Sequence, residues 1–227
     1  NTLKINYFND VGKSVCKNSA LKNIIILWLF NFIFFQVGFT QQSKIDSLVK
    51  VLKLAKEDTN KVKILNEVTA IFLQLPLADY KKALHFGEES RLLAEKLFFE
   101  KGAAIAYDNL GKVYGYYGFY EKAFENFLNQ LKIGERLNDS MIIIKSNENL
   151  AFIYSLEGNY QKELEIKMRL EKLAEASGDK NRIAVALWNL SGGYMRVCRQ
   201  MIKQNDSTWA NYNYDKAIEC DLKALKI

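Results

Sequence analysis

The chain has little of what most catalytic or metal sites require. Its 227 residues include a single histidine, His85, and three cysteines, which excludes a metal cluster built on several histidines. One proline, Pro76, and no run of alternating β-branched residues make an all-α chain the economical interpretation. The glycines of residues 111–118 fall within or at the end of a helical pattern, so they do not form a phosphate cradle. We expect no catalytic residue, cofactor or metal.

The excess of basic over acidic residues is small once residues 1–40 are set aside. The net charge is +6, but four lysines and one aspartate in residues 1–40 account for +3 of it, which leaves +3 for the remainder. There, acidic and basic residues alternate, as is typical of solvated helix faces. A nucleic-acid interface needs basic residues clustered on one face. We therefore expect no nucleic-acid partner. With 49% hydrophobic and 26% charged residues, the chain is globular.

What the sequence does contain is internal repetition with a period of 40 residues. An Asn-Leu-small tripeptide recurs at this spacing, and a tyrosine follows each leucine after four residues. The copies are Asn109-Leu110-Gly111, Asn149-Leu150-Ala151 and Asn189-Leu190-Ser191, with Tyr114, Tyr154 and Tyr194. Repetition at a fixed period indicates stacked structural units, and such stacks present an extended concave surface.

Each unit has the pattern of an antiparallel helical hairpin. Apolar or small residues recur every three or four positions over 103–117, Gly118 interrupts them, and the pattern resumes over 120–137. Asp139 or Ser140 can then cap the next helix. The pattern predicts units at about 61–100, 101–140, 141–180 and 181–227. A lead-in helix and linker at 41–60 precede them.

At these residues the chain resembles the tetratricopeptide (TPR) family. Its pattern of Leu, a small residue and Tyr, then Ala and an aromatic residue, matches Leu110, Gly111, Tyr114, Ala123 and Phe127. The resemblance covers roughly 61–227 and implies an all-α, right-handed superhelical solenoid of antiparallel helix pairs, whose first helices line the concave face. The later units match less well, because Glu163 stands where the family prefers Ala. The period of 40, against about 34 in the usual repeat, resembles the longer-helix variants.

The resemblance also implies where a ligand lies. In the family, the position before the Leu of the first helix faces the groove, and an Asn there hydrogen-bonds a peptide backbone; the matching residues are Asn109, Asn149 and Asn189. Neighbouring charges give the groove a mixed character: Asp108, Lys112, Lys145 and Glu148. The alternative is that the asparagines bond between helices and touch no ligand.

Residues 1–40 have the layout of a secretory signal. A lysine precedes an apolar core over 24–39, and small residues follow before a polar segment. We expect cleavage after Thr40 and an exported or periplasmic location. An uncleaved membrane anchor and a buried core helix are the alternatives. The last unit stops within its second helix, and we expect more protein after Ile227.

The last unit also contains an insertion. Tyr154 and Tyr160 are six residues apart, whereas their counterparts Tyr194 and Tyr214 are twenty apart. The extra residues, broadly 197–211, form either a binding loop or a longer helical extension with Trp209 folded back onto the stack. Two cysteines flank this insertion and either pair as a disulfide or remain thiols: Cys198 and Cys220.

Together these features predict a non-catalytic module that binds a protein or peptide. A leader followed by long repeats resembles the extracytoplasmic sensory part of bacterial signal-transduction proteins. The alternatives are an exported scaffold or assembly factor without a signalling role and a cytoplasmic peptide-sensing regulator. We expect membrane contact only through the leader, an anchor or a helix downstream of this sequence.

Overall fold

The computed structural model describes residues 45–74 and 79–227, which are helical apart from short connections. Helix α1 covers 45–54. The others are α2 (Thr59–Gln74), α3 (Tyr80–Lys96), α4 (Glu100–Tyr116), α5 (Tyr120–Leu137), α6 (Ser140–Leu156), α7 (Tyr160–Ser177), α8 (Lys180–Lys203) and α9 (Ser207–Ala224). The predicted signal peptide at 1–40, with its apolar core at 24–39, lies outside the described residues, as does Pro76.

Consecutive helices from α2 to α9 pack side by side, as expected for a stack of hairpins. The predicted all-α solenoid of antiparallel helix pairs is confirmed. The first helix of each predicted unit is α2, α4, α6 or α8, and the second is α3, α5, α7 or α9. Across the two described segments, no helix has the length and apolarity needed to cross a membrane.

The turns between helices recur every 20 residues, which is half of the 40-residue sequence period. One residue with positive φ occurs every 20 residues, at φ between 50° and 77°: Phe98, Gly118, Asn138, Gly158 and Gly178. An isolated left-handed residue ends a helix and reverses the chain, which is why glycine and asparagine dominate the set. Asp139 then caps α6, accepting from the backbone N–H groups of Met141 and Ile142 at 3.1 and 3.3 Å, so the predicted cap is confirmed.

Small residues set the distance between the two helices of a hairpin. A Cβ placed on Gly111 of α4 would lie 2.5 Å from the ring of Phe127 on α5, closer than any normal contact. The fourth residue of each second helix is equally confined, since Ala83 and Ala123 are fully buried. Leu110, in the repeated tripeptide, is also fully buried. Hairpin packing therefore rests on the positions that carry the repeat.

The insertion in the last unit is helical. Helix α8 has 24 residues where α6 has 17, and the next left-handed residue is Asn205, seven positions later than the rule of 20 predicts. Helix α9 likewise begins seven residues before Tyr214. Helix α8 is thus longer by two turns, and α9 begins two turns earlier in the repeat, although its 18 residues equal those of α7. Trp209 lies near the tip, 57% exposed, with its ring 5.5 Å from that of Tyr212 on the same helix, so it does not fold back onto the stack.

The two cysteines of this hairpin are buried free thiols. The chain reverses near Asn205, so the residue seven positions after the turn, Tyr212, lies opposite Cys198. Cys220 is eight residues further along α9, a displacement of about 12 Å at 1.5 Å per residue. A disulfide needs Cα atoms within about 7 Å. The antiparallel register therefore keeps the thiols apart.

Candidate functional site

A cavity with a volume of about 620 Å³ lies between the first helices α4, α6 and α8. Helix α7 closes its base, and α5 contributes one residue. Most of the wall is apolar. The large apolar residues lining it are Ile105, Met141, Ile142, Ile144, Leu170, Leu173 and Val185. We call this cavity the groove.

The groove exists because neighbouring first helices separate along the stack. Helix α2 packs against α4, and α4 still touches α6, but no Cα of α6 lies within 8 Å of a Cα of α8. Their second helices fill the space on one side only. The cavity lies on the other side and is lined mainly by α4, α6, α7 and α8. Side chains at the same repeat position therefore meet different surroundings in successive units.

The three predicted asparagines show this difference directly. Asn109 is 4% exposed and donates to the carbonyl of Asn66 on α2 at 3.1 Å. Asn149 is half-buried and donates to the Asp108 carboxylate at 2.7 Å. Asn189 is exposed, lines the groove, and makes no side-chain hydrogen bond to the residues described. The three predicted asparagines are therefore not equivalent: Asn109 links two helices, as the alternative prediction had it, and Asn189 is the most exposed of the three.

Asp108 is the centre of a charged cluster on the groove wall. It is 2% exposed and accepts from the ammonium groups of Lys112 and Lys145, both at 2.8 Å. Burial would raise the pKa of Asp108, but the two lysines outweigh it and hold the pKa below its usual range. The predicted residues Asp108, Lys112, Lys145 and Asn149 therefore come together as one network. It fastens α6 to α4 where the backbones hardly touch.

Two further polar side chains, Glu148 and Gln130, line the groove and lack partners within the stack. Glu148 on α6 has neither an ion pair nor a hydrogen bond within the described segments, and burial raises its pKa although nearby Lys145 opposes the shift. Gln130 on α5 is 2% exposed, and its Oε1 has no hydrogen-bond partner there. Sequence reasoning found Glu148 but missed Gln130, because it considered only first helices as groove-lining.

Comparisons with solved structures agree with the fold. No family model and no curated protein matches the chain. Among solved structures, a putative kinesin light chain of Podosopora anserina with nearly identical TPR-like repeats aligns with TM-score 0.63 and 14% identity, over 85% of this chain and 92% of that one. The apo form of RapI aligns with TM-score 0.59 and 13% identity, over 82% and 71%. The chain has a TPR-like fold.

A third structure of this fold is a signal-transduction ATPase with numerous domains from Pyrococcus horikoshii, which has a TPR sensor. It aligns with TM-score 0.62 and 19% identity, over 84% of this chain but 29% of that protein. Identities this low establish the architecture and leave the ligand open.

The TPR-like fold makes one residue of this chain unusual. Glu163 stands at the alanine position of α7 and is 1% exposed. Arg196 of α8 bonds both of its carboxylate oxygens, and the ammonium of Lys167 lies 2.8 Å away. Burial would raise the pKa of Glu163, but the two cations outweigh it and lower the pKa. Gly193 makes room, since a Cβ there would lie 3.1 Å from the Lys167 side chain.

This ion cluster supports the base of the groove, because Lys167 is also a groove-lining residue. Trp209, the candidate in the insertion, does not line the groove. The described residues include no group of three or more acidic, histidine or cysteine side chains placed to hold a metal ion.

Proposed function

We propose that this chain is a protein- or peptide-binding repeat module and that its ligand lies in the groove between α4, α6 and α8. The observation that carries the proposal is an open, mostly apolar cavity of about 620 Å³ with a few polar groups that have no partner in the stack. Ligand sites usually combine an apolar wall with a small number of convergent polar groups. The TPR-like fold supplies the concave surface on which repeat proteins bind other chains.

We further propose that the module is exported and acts as the sensory part of a bacterial signal-transduction protein. The basic, apolar and small-residue order of residues 1–40 supports export. The similarity in fold to a protein with a TPR sensor supports the sensory role, as an analogy of architecture. An exported scaffold would share the groove but would be followed by no effector domain.

Filling the groove tests the binding proposal. Val185 is 53% exposed on the groove wall, so Val185→Trp adds bulk there with little strain on the stack. Leu92→Trp is the matched control, because Leu92 is 57% exposed on α3 and does not line the groove. The probe is a pool of fluorescein-labelled random dodecapeptides, and the measurement is anisotropy with the full chain.

We expect Val185→Trp to weaken binding about tenfold or more, equivalent to ~1.4 kcal/mol, while Leu92→Trp binds like the unmodified chain. Equal binding by all three proteins would place the ligand elsewhere. If no peptide bound any of them, a peptide ligand would be ruled out.

Two asparagines at one repeat position provide a second test. Asn109→Ala should destabilise the stack by about 0.5–1.5 kcal/mol, because it removes the side-chain hydrogen bond to the Asn66 carbonyl, which keeps its helical donor in α2. Asn189→Ala should change stability by less than about 0.5 kcal/mol yet weaken peptide binding, because Asn189 lines the groove. Urea unfolding and anisotropy separate these effects. The reverse pattern would contradict the assignment of Asn189 to the site.

A further inference from the structure

The charges on the wall of the groove do not cancel. Asp108 is shared by two lysines, Lys112 and Lys145, whose ammonium groups both lie 2.8 Å from its Oδ2. Its Oδ1 accepts from the Asn149 amide at 2.7 Å. The Lys145 side chain is 52% exposed and lines the groove, whereas that of Lys112 is 36% exposed and does not. One carboxylate therefore serves two cations, and this cluster has one surplus positive charge.

A second cluster, at the base of the groove, has the same composition. Arg196 bonds both carboxylate oxygens of Glu163, and the ammonium of Lys167 lies 2.8 Å from that carboxylate. Because the bidentate arginine already neutralises Glu163, Lys167 is the surplus cation. Its side chain is only 12% exposed and lines the groove. Burial lowers the pKa of Lys167, although Glu163 opposes this shift, so a further anion beside the ammonium would be stabilising.

Glu148 does not cancel the excess of positive charge. It lines the groove, but Lys145 on the same helix lies near enough to act on its charge. Five cations and four anions are found among the lining residues and their ion-pair partners. The cations are Lys112, Lys145, Lys167, Arg182 and Arg196, and the anions are Asp108, Glu148, Glu163 and Asp179. The groove is thus electrostatically complementary to an anion.

The remainder of the wall is apolar and continues from Lys167 along α7. Leu170 and Leu173 follow at intervals of three residues, and all three residues line the groove over about 9 Å of helix. On the first helices, Met141 and Val185 are 59% and 53% exposed. A cation beside an apolar wall matches an amphiphile, whose charged head and apolar body need different surroundings. The volume of about 620 Å³ is typical of small-molecule sites.

We propose that the groove binds a small amphiphilic carboxylate, such as a medium-chain alkyl carboxylate, a ligand class beyond that of the proposed function. The ligand carboxylate pairs with Lys167, Lys145 adds positive potential, and the alkyl chain covers the apolar wall. A free carboxylate suits this site better than the acidic side chain of a peptide. The reason is that Lys167 is buried, and a peptide backbone beside it would need partners for its own N–H and C=O groups.

Three ten-carbon probes test this inference with the full chain. Decanoate, decanol and decylamine share one alkyl chain and differ in the charge of the head group. Isothermal titration calorimetry at neutral pH, below the concentrations at which the probes form micelles, measures their affinities. We expect decanoate to bind about tenfold tighter than decanol, the effect of one hydrogen bond between charged groups. Decylamine should bind most weakly. Equal affinities for decanoate and decanol would overturn the contact with Lys167, and no binding by any probe would overturn the inference.

Substitutions then assign the preference to particular residues. Lys167→Met should abolish the preference for decanoate, while Glu163 keeps Arg196 as its partner. Lys172→Met is the matched control, because Lys172 is exposed on the same helix and does not line the groove. Glu148→Gln removes a competing carboxylate and should tighten decanoate binding about three- to fivefold, with no change for decanol. A preference that survives Lys167→Met in a stack shown by urea unfolding to be intact would contradict the assignment.

The remaining outcomes locate the ligand and separate this inference from the proposed function. Val185→Trp fills the groove, so decanoate that binds this variant as tightly as the unmodified chain would lie elsewhere and overturn the inference. Because the probes are titrated without peptide, a chain that binds decanoate but no dodecapeptide would retain this inference and lose the proposed function. If only dodecapeptides containing glutamate bound, and Lys167→Met abolished that binding, the surplus cation would serve a peptide and the small-molecule ligand would be wrong.

Discussion

Loss of the Arg196 guanidinium tests the physical account of the buried charge on Glu163. Removing one member of a buried ion pair costs about 3–5 kcal/mol, because the other charge stays buried without compensation. Here the Arg196 side chain is 37% exposed and Lys167 remains, so we expect Arg196→Met to cost about 2–3 kcal/mol at pH 7. Arg136→Met is the matched control: Arg136 is 60% exposed beside Glu100, and we expect a change below about 0.5 kcal/mol.

The pH dependence makes this prediction specific. The pKa of Glu163 is lower in the folded chain than in the unfolded chain, where it is about 4.3. The stabilisation is therefore complete above that value and is lost as the pH falls through the folded pKa. A protonated Glu163 gains little from Arg196, so the difference in stability between Arg196→Met and the unmodified chain should be large at pH 7 and smaller at pH 3, below the unfolded pKa. Urea unfolding at both pH values measures it. A cost that does not change with pH would refute the account, as would the same cost in a Glu163→Gln background.

Three further predictions concern packing and processing. Gly111→Ala should cost about 1–3 kcal/mol through its clash with the Phe127 ring, whereas Gly192→Ala meets open space and should stabilise α8 by about 0.5–1 kcal/mol; equal thermal shifts would contradict this. Leu150→Ala, in the core of the central unit, should cost about 2–5 kcal/mol and loosen both neighbouring units in hydrogen exchange; loosening of one unit alone would disprove a continuous stack. N-terminal sequencing of protein from its native host should show that residues 1–40 have been removed, and an intact leader on a cytoplasmic product would contradict export.

The sequence predicts the fold well because the repeat is a property of local packing. Gly111 and Phe127 touch within one hairpin, so their spacing is visible along the chain. The cap at Asp139 is equally local. The 20-residue rule of the turns is less visible, because Phe98 and Asn138 occupy left-handed positions that glycine occupies elsewhere.

The groove is harder to predict because it depends on distances between units. Asn109 and Asn189 have the same sequence context, yet one is buried and the other lines the groove, since the first helices separate along the stack. Gln130 lies on a second helix, where no repeated motif marks it. A usable signal did exist at Glu163: a charged residue at a buried alanine position requires a partner of opposite charge, and this partner is Arg196.

The two-turn lengthening of α8, together with the matching earlier start of α9, shows which changes of length such a chain can accept during evolution. Seven residues are close to two full turns, so each helix keeps nearly the same face toward its partner, with a drift of about 20°. An addition of five residues to one helix would rotate its buried stripe away from the partner by more than a quarter turn. Matched additions to both helices keep the hairpin closed and move its tip outward by about 10 Å. A hairpin of one length can therefore replace a hairpin of another length in the stack, provided that both of its helices change together and by whole turns.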